Sequence, residues 1–221
     1  MGAERAADAS RAPSPSVTDT VRMTPQAEDS ARLQELLGEM YAERAARGET
    51  LSAVIDVILA RLRCARVSMW KFDHVGDELT LLCFGSKTAD GVFDTSDRRL
   101  RRSEFIAYFN SLVDAGTYVS VDALDDPVLQ PMRENYLVAN NVVSMLDAAF
   151  VLNNQTYGMV CCEENRRREW TPGDSVSLRA IVNKMTLLMW NAPDTVLLNT
   201  PSVPLRVQLL QEPSAPGDRR R

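Results

Sequence analysis

Apolar positions recur along this chain at spacings of three and four, then two, then three and four again. "SARLQELLGEMYAERAAR" places Leu33, Leu36, Leu37, Met40 and Arg44 on one helical face over residues 29–46. Gly48 interrupts that pattern. A second stripe, Leu51, Val54, Ile55, Ile58, Leu59 and Leu62, predicts another helix. The period then drops to two. "RVSMWKFD" (66–73) and "ELTLLCFG" (78–85), joined by "HVGD", predict an antiparallel hairpin. Residues 86–102 are polar and carry Arg98-Arg99 and Arg101-Arg102, which predicts a long loop. "SEFIAYFNSLVDAG" predicts a helix with Phe105, Tyr108, Phe109 and Leu112 on one face, ended by Gly116. "TYVSVDA" reads as a short strand. "DDPVLQPMRENYLVAN" reads as a helix capped by Asp126, with Pro127 at its first position and Pro131 limiting its first turn. Residues 144–165 form a second hairpin about Asn153-Asn154. "WTPGD" opens a closing helix, with Thr171 as cap and Asp174 returning a bond to it, followed by the stripe Leu178, Ile181, Val182, Met185, Leu188 and Met189.

Because most strands are joined as hairpins, the sheet should be antiparallel and covered by helices, an α+β fold. Residues 1–28 are rich in Ala, Ser, Pro and charge and read as a disordered leader; 191–221, with its prolines and terminal arginines, reads as a disordered tail. Residues 29–190 are expected to form one domain, with the helix at 29–46 available for dimer contact or for packing on its own domain.

Composition narrows the function. The 221 residues carry 25 Lys+Arg against 30 Asp+Glu, a net charge of -5, which gives no general attraction to nucleic acid or anionic membrane. No apolar run approaches membrane-spanning length, and no hydrophobic segment marks a signal peptide, so a cytoplasmic location is expected. Four cysteines, Cys64, Cys83, Cys161 and Cys162, do not form a secreted disulfide pattern. A single histidine, His74, leaves no histidine-rich metal site.

The run "YVSVDALDDPVLQPMRENYLVANNVVSMLDAAFVLNNQTYGMVCCEENRRREWTPGDSVSLRAI" resembles the second half of a bacterial GAF domain. The features are a strand ending in Asp, "DP", a Tyr-Leu pair on a helix, "SMLD", a strand and turn, "GMVCCE", "WTP" and an acidic helix start, in that order. "RVSMWKF" fits the family's first strand, so the resemblance extends over about residues 50–190. It implies a central antiparallel sheet of five or six strands, terminal helices on one face and a small-molecule pocket over the other. The cyclic-nucleotide motif "NKFDE" is absent, and so is the Cys-His pair of bilin-binding members.

On a strand, alternate side chains face opposite ways. Tyr157, Met159, Cys161 and Glu163 are expected on one face, and Gly158, Val160 and Cys162 on the other. The adjacent thiols then point apart, and both read first as small buried groups. Asp147 lies in an apolar strand and needs a partner, either a ligand or a loop N–H. Asp122, Tyr136 and Ser144 flank the expected pocket, and Trp70, Cys83, Tyr108, Cys161 and Glu163 complete the candidate binding set. Glu163 is expected to pair with Arg166-Arg167-Arg168 or to leave those arginines solvated; the cluster Arg98–Arg102 is weighed as a phosphate grip. No catalytic or metal-ligating residue is assigned, and the cofactor is unknown.

These readings point to a non-enzymatic sensory domain. It would bind an unidentified small molecule and signal through its terminal helices, as a homodimer or to a downstream protein. The alternatives are a ligand-free scaffold for protein contacts and a thiol sensor or free methionine-(R)-sulfoxide reductase using Cys83 with Cys161 or Cys162.

Overall fold

The computed structural model describes residues 24–41, 47–75, 78–95, 98–152 and 155–190. Helices α1 (Pro25–Tyr41) and α2 (Arg47–Leu62) lead into strands β1 (Arg66–Val75) and β2 (Glu78–Thr88). Two short strands, β3 (Phe93–Asp94) and β4 (Arg99–Arg101), precede α3 (Ile106–Ala115) and β5 (Thr117–Ser120). The hairpin β6 (Ser144–Leu152) and β7 (Gln155–Glu164) and helix α4 (Pro172–Trp190) follow. The sheet runs β3-β2-β1-β7-β6-β5, with β4 also on β2, and each pairing is antiparallel. β1 and β7 lie at its centre, which is why both of their faces are apolar.

Helices α1, α2 and α4 supply one side of the core. Val54, Ile55, Ile58 and Leu62 of α2 meet Val67 and Met69 of β1, Leu146 of β6, Val160 and Cys162 of β7, and Leu178, Val182 and Met185 of α4. Leu33 and Leu36 of α1 are buried in the same cluster, so the chain itself covers this part of the α1 stripe. The Leu37 and Met40 side chains lie outside the described residues, as do the Asn153-Asn154 turn and the His74 side chain. Helix α1 opens at Pro25, ahead of the residue 29 that periodicity marks. The start of α4 follows its motif: Asp174 N–H donates to Thr171 Oγ1 at 3.1 Å, and Thr171 N–H donates to Asp174 Oδ2 at 2.9 Å. Arg168 ties this corner together. Its guanidinium donates to Leu62 O at 2.8 Å and to Glu164 Oε1 at 3.1 Å, and lies 4.0 Å from the Trp170 ring centre.

The other face is covered by α3 and by the connection 121–143. Gly116 ends α3 at φ 70°, a left-handed conformation that glycine adopts without strain. The helix expected across 126–140 is broken into a 3-10 turn, Gln130–Met132, and one π-helical turn, Arg133–Val138. Pro131 lacks an N–H and prevents a regular α-helical start there. The irregular path still buries Met132, Tyr136 and Leu137 against the sheet. The loop expected over 86–102 contains the end of β2, then β3 and β4. Leu100 reaches the core between exposed Arg99 and Arg101, a period of two hidden by the surrounding charge.

One face assignment is corrected. The register passes from Phe150↔Gly158 to Val151↔Thr156, leaving Tyr157 as an extra residue on β7. The bulge turns Tyr157 toward the helix-side core, with Val160 and Cys162, away from Met159, Cys161 and Glu163. Beside it, a Cβ on Gly158 would lie 2.1 Å from Trp70 O and 2.9 Å from Lys71 Cα. Both obstacles are backbone of the central strand β1. Gly158→Ala is therefore expected to destabilise the domain by about 1–3 kcal/mol, measured as a lower urea midpoint at unchanged slope. A loss below about 0.5 kcal/mol would show that β1 shifts freely at this point.

Among the described residues, no helix is long and apolar enough to cross a membrane.

Candidate functional site

Strand alternation turns Arg66, Ser68 and Trp70 of β1 to the same side of the sheet as Met159, Cys161 and Glu163 of β7 and Met145 and Asp147 of β6. Helix α3 lowers Tyr108 onto this surface, and the turn Arg133–Val138 lowers Tyr136. Seven expected residues are brought into this region: Trp70, Cys83, Tyr108, Tyr136, Asp147, Cys161 and Glu163, all buried. Two are placed elsewhere. Asp122 is on the rim, 2.7 Å from the exposed Arg167 guanidinium. Ser144 donates to Arg166 O at 3.0 Å, closing the loop after β7.

Two polar centres interrupt the apolar packing. At the first, Tyr108 donates its hydroxyl to Asp147 Oδ2 at 2.7 Å and lies 3.1 Å from Met159 Sδ. Asp147 is fully buried, and its Oδ1 has no partner at hydrogen-bonding geometry. Burial pushes the Asp147 carboxyl up to about 7, against the opposing pull of Tyr108 and the Cys161 thiol. Burial also raises the Tyr108 and Cys161 groups well above their ordinary values, and the Asp147 charge adds to it.

At the second centre, Tyr136 donates to Glu163 Oε1 at 2.5 Å, and Arg66 Nε pairs with Glu163 Oε2. The Arg66 and Glu163 side chains are 13% and 2% exposed, so this is a buried ion pair. Burial is the largest influence and opposes the Arg66 charge, but Glu163, Tyr136 and Cys161 together outweigh it and hold the guanidinium above its usual value. Glu163 thus pairs with a residue 97 positions away and not with the basic run after β7. Glu164 takes that role, pairing with Arg168 and, at longer range, Arg166. The Tyr136 ring stands edge-on to Trp70 at 6.0 Å between centroids.

The thiols take separate positions. Cys161 faces Asp147, whereas Cys162 lies on the helical side, where burial and then its neighbour Cys64 raise its thiol well above the ordinary value. Cys83 lies opposite Trp70, and Trp70 lies opposite Met159, so β1 stands between Cys83 and the Cys161 strand. Two strand spacings, roughly 9–10 Å, exceed the reach of a direct disulfide. Burial raises the Cys83 thiol, although Arg98 pulls it back.

Three residues of this surface were absent from the expected binding set: Arg66, Arg98 and Asn140. Arg66 was available from the alternation Arg66, Ser68, Trp70. Arg98 lies on the inward side of Leu100, and Asn140 is placed by an irregular turn that no local pattern announces. A cleft of about 360 Å³ opens at the Arg66–Glu163 end, lined also by Asn140, Asn141, Thr88 and Asp90.

An antiparallel sheet with terminal helices on one face and a covered surface carrying polar centres on the other defines the class, a single α+β domain. The GAF domain family matches residues 46–187, and the chain belongs to that family. No curated protein matches the chain by sequence. Among solved structures, it is similar to the phycoerythrobilin-bound GAF domain of a cyanobacterial phytochrome: TM-score 0.58, 14% identity, covering 76% of this chain and 95% of that one. The PixJ GAF domain of Thermosynechococcus elongatus gives TM-score 0.52 and 16% identity, covering 76% and 89%. Bacteriophytochrome RpBphP3 from the photosynthetic bacterium R. palustris gives TM-score 0.55 and 13% identity, covering 78% of this chain and 38% of that protein. This chain therefore spans well under half the length of RpBphP3. At these identities the likeness is one of fold.

Proposed function

We propose that this GAF domain is a non-enzymatic sensor that takes a small molecule over the sheet face carrying Asp147, Tyr136, Glu163 and Arg66. The carrying observation is that an otherwise apolar core face holds a buried carboxyl with an unpartnered oxygen and a buried ion pair. Apolar residues would fill the same space at lower cost, so the polar groups are better explained by a ligand than by folding. The ligand would enter through the cleft beside Arg66, and its binding would bias the packing of α1, α2 and α4 through the shared sheet. The readout would pass to a second copy of the chain or to a downstream protein, in the cytoplasm.

Some similar structures are named for the bilins they contain. This chain lacks the Cys-His pair, and Trp70, Tyr108 and Tyr136 occupy the middle of the face. A smaller ligand at the cleft end suits that geometry better. The burial of these three rings in the middle of the face favours a second reading, a scaffold without ligand. Native mass spectrometry of the protein purified from its own host separates the two. A sensor carries an additional non-covalent mass, released by denaturation, whereas a scaffold gives the bare chain mass and would overturn the proposal.

A further inference from the structure

Two cationic side chains, Arg66 lining the cleft and Arg98 behind it, approach one neutral oxygen of the cleft residue Asn140. Arg66 Nη1 and Arg98 Nη1 lie 3.4 and 3.5 Å from Asn140 Oδ1, long distances for hydrogen bonds to an amide. Each guanidinium also has a buried nitrogen with no partner, Arg66 Nη2 and Arg98 Nε. Among the described residues, Arg66 has a close carboxylate in Glu163, and Arg98 has Asp94, half-exposed at 3.8 Å. The Arg98 guanidinium lies 5.9 Å from the Trp70 ring centre and donates to Cys83 Sγ at 3.6 Å, so it is turned inward although its loop is at the surface.

We infer that the Arg66–Arg98 pair is an oxyanion site, and that the Asn140 amide oxygen holds the place a carboxylate or phosphate oxygen of the ligand takes. A charged oxygen between two guanidiniums shortens and strengthens both contacts, and the planar donors favour oxyanions over halides. Asn140 is half-buried on the turn that borders the cleft, and its Nδ2 donates to Tyr136 O at 2.8 Å; an entering anionic group would displace the side chain at the cost of that bond and take its place between the cations. The opposing charges are Glu163, already engaged by Arg66 and Tyr136, Glu164, engaged by Arg168, and Asp90 and Asp94 at the rim. They leave room between the two guanidiniums for one anionic group of modest charge. This inference rests on the sensor reading and specifies the chemistry of its ligand.

The test is calorimetric titration of the whole chain with inorganic phosphate and, separately, with acetate, in a chloride buffer of fixed ionic strength. Saturable one-to-one binding of either probe is expected. Phosphate binding indicates a phosphorylated ligand, and acetate binding a carboxylic acid. Arg98→Gln, which removes only long contacts and should fold, is expected to weaken binding by about tenfold or more. Asn140→Ala should tighten it, because the oxygen that competes for both guanidiniums is removed. Failure of both probes to saturate the wild type, or equal binding by Arg98→Gln, would overturn the inference. A co-purified neutral ligand found alongside that failure would leave the sensor reading standing.

Discussion

Replacing Glu163 by alanine is expected to destabilise the domain by about 3–5 kcal/mol. Two groups lose their partner at once. The Arg66 guanidinium remains buried without its close carboxylate, and the Tyr136 hydroxyl loses its acceptor. The first loss dominates, because an uncompensated buried charge costs far more than a neutral hydrogen bond, which contributes about 1 kcal/mol. Glu163→Gln keeps an acceptor for Tyr136 and removes only the charge, so its cost should lie between wild type and alanine. Equilibrium urea unfolding checks this through the midpoint at constant slope. A loss below about 1 kcal/mol for Glu163→Ala would mean that Arg66 turns out to solvent, and that the ion pair does not organise the site.

Asp147→Asn should act in the opposite sense, by an amount that grows as pH rises from about 4 to about 7. The folded-state carboxyl titrates near 7, above its usual value near 3.8, because burial disfavours its charge. The fold therefore binds the proton more tightly than the unfolded chain does. Stability from this group is fully present below about pH 4 and is lost as pH rises toward 7 and beyond. The interval between the two values corresponds to roughly 4 kcal/mol, an upper bound for a buried carboxyl that rearrangement can relieve. Asparagine cannot ionise and has nearly the same shape, so the variant should match wild type near pH 4.5 and exceed it by a few kcal/mol at pH 8. Tyr108, Cys161 and Tyr118, which act on or pair opposite Asp147, are all raised by burial and do not ionise in this interval, and the Glu163 charge adds to the rise at Asp147. Parallel stability–pH curves for the two proteins would place the Asp147 carboxylate in a solvated or compensated environment.

The helices and hairpins were legible because their signals are local. The stripe Leu51 to Leu62 needs no knowledge of what it packs against, and the Thr171–Asp174 box is complete within four residues. The two adjacent cysteines were resolved by strand alternation alone. Tyr157 was misplaced because a single bulge reverses alternation beyond it, and bulges depend on the partner strand. The segment 126–140 reads as one helix, although Pro131 already argues against a regular start. The binding set was legible in part: Asp147 and Glu163 were identified by their chemistry, but Tyr108 and Arg66, the groups that engage them, lie 39 and 97 residues away. Long-range partners of this kind are fixed by sheet register, which no single segment encodes. Asp122 and Ser144 were included by proximity in sequence, and the structure gives both to loop closure near Arg166 and Arg167.

The most direct measurement is a crystal structure of protein purified from its own host without stripping. The account predicts electron density for a non-protein molecule in the cleft, with an anionic group against Arg66 and Arg98 and the Asn140 side chain turned aside. Water alone in that cleft, with Asn140 still between the two arginines in protein carrying its full native complement of bound molecules, would contradict it.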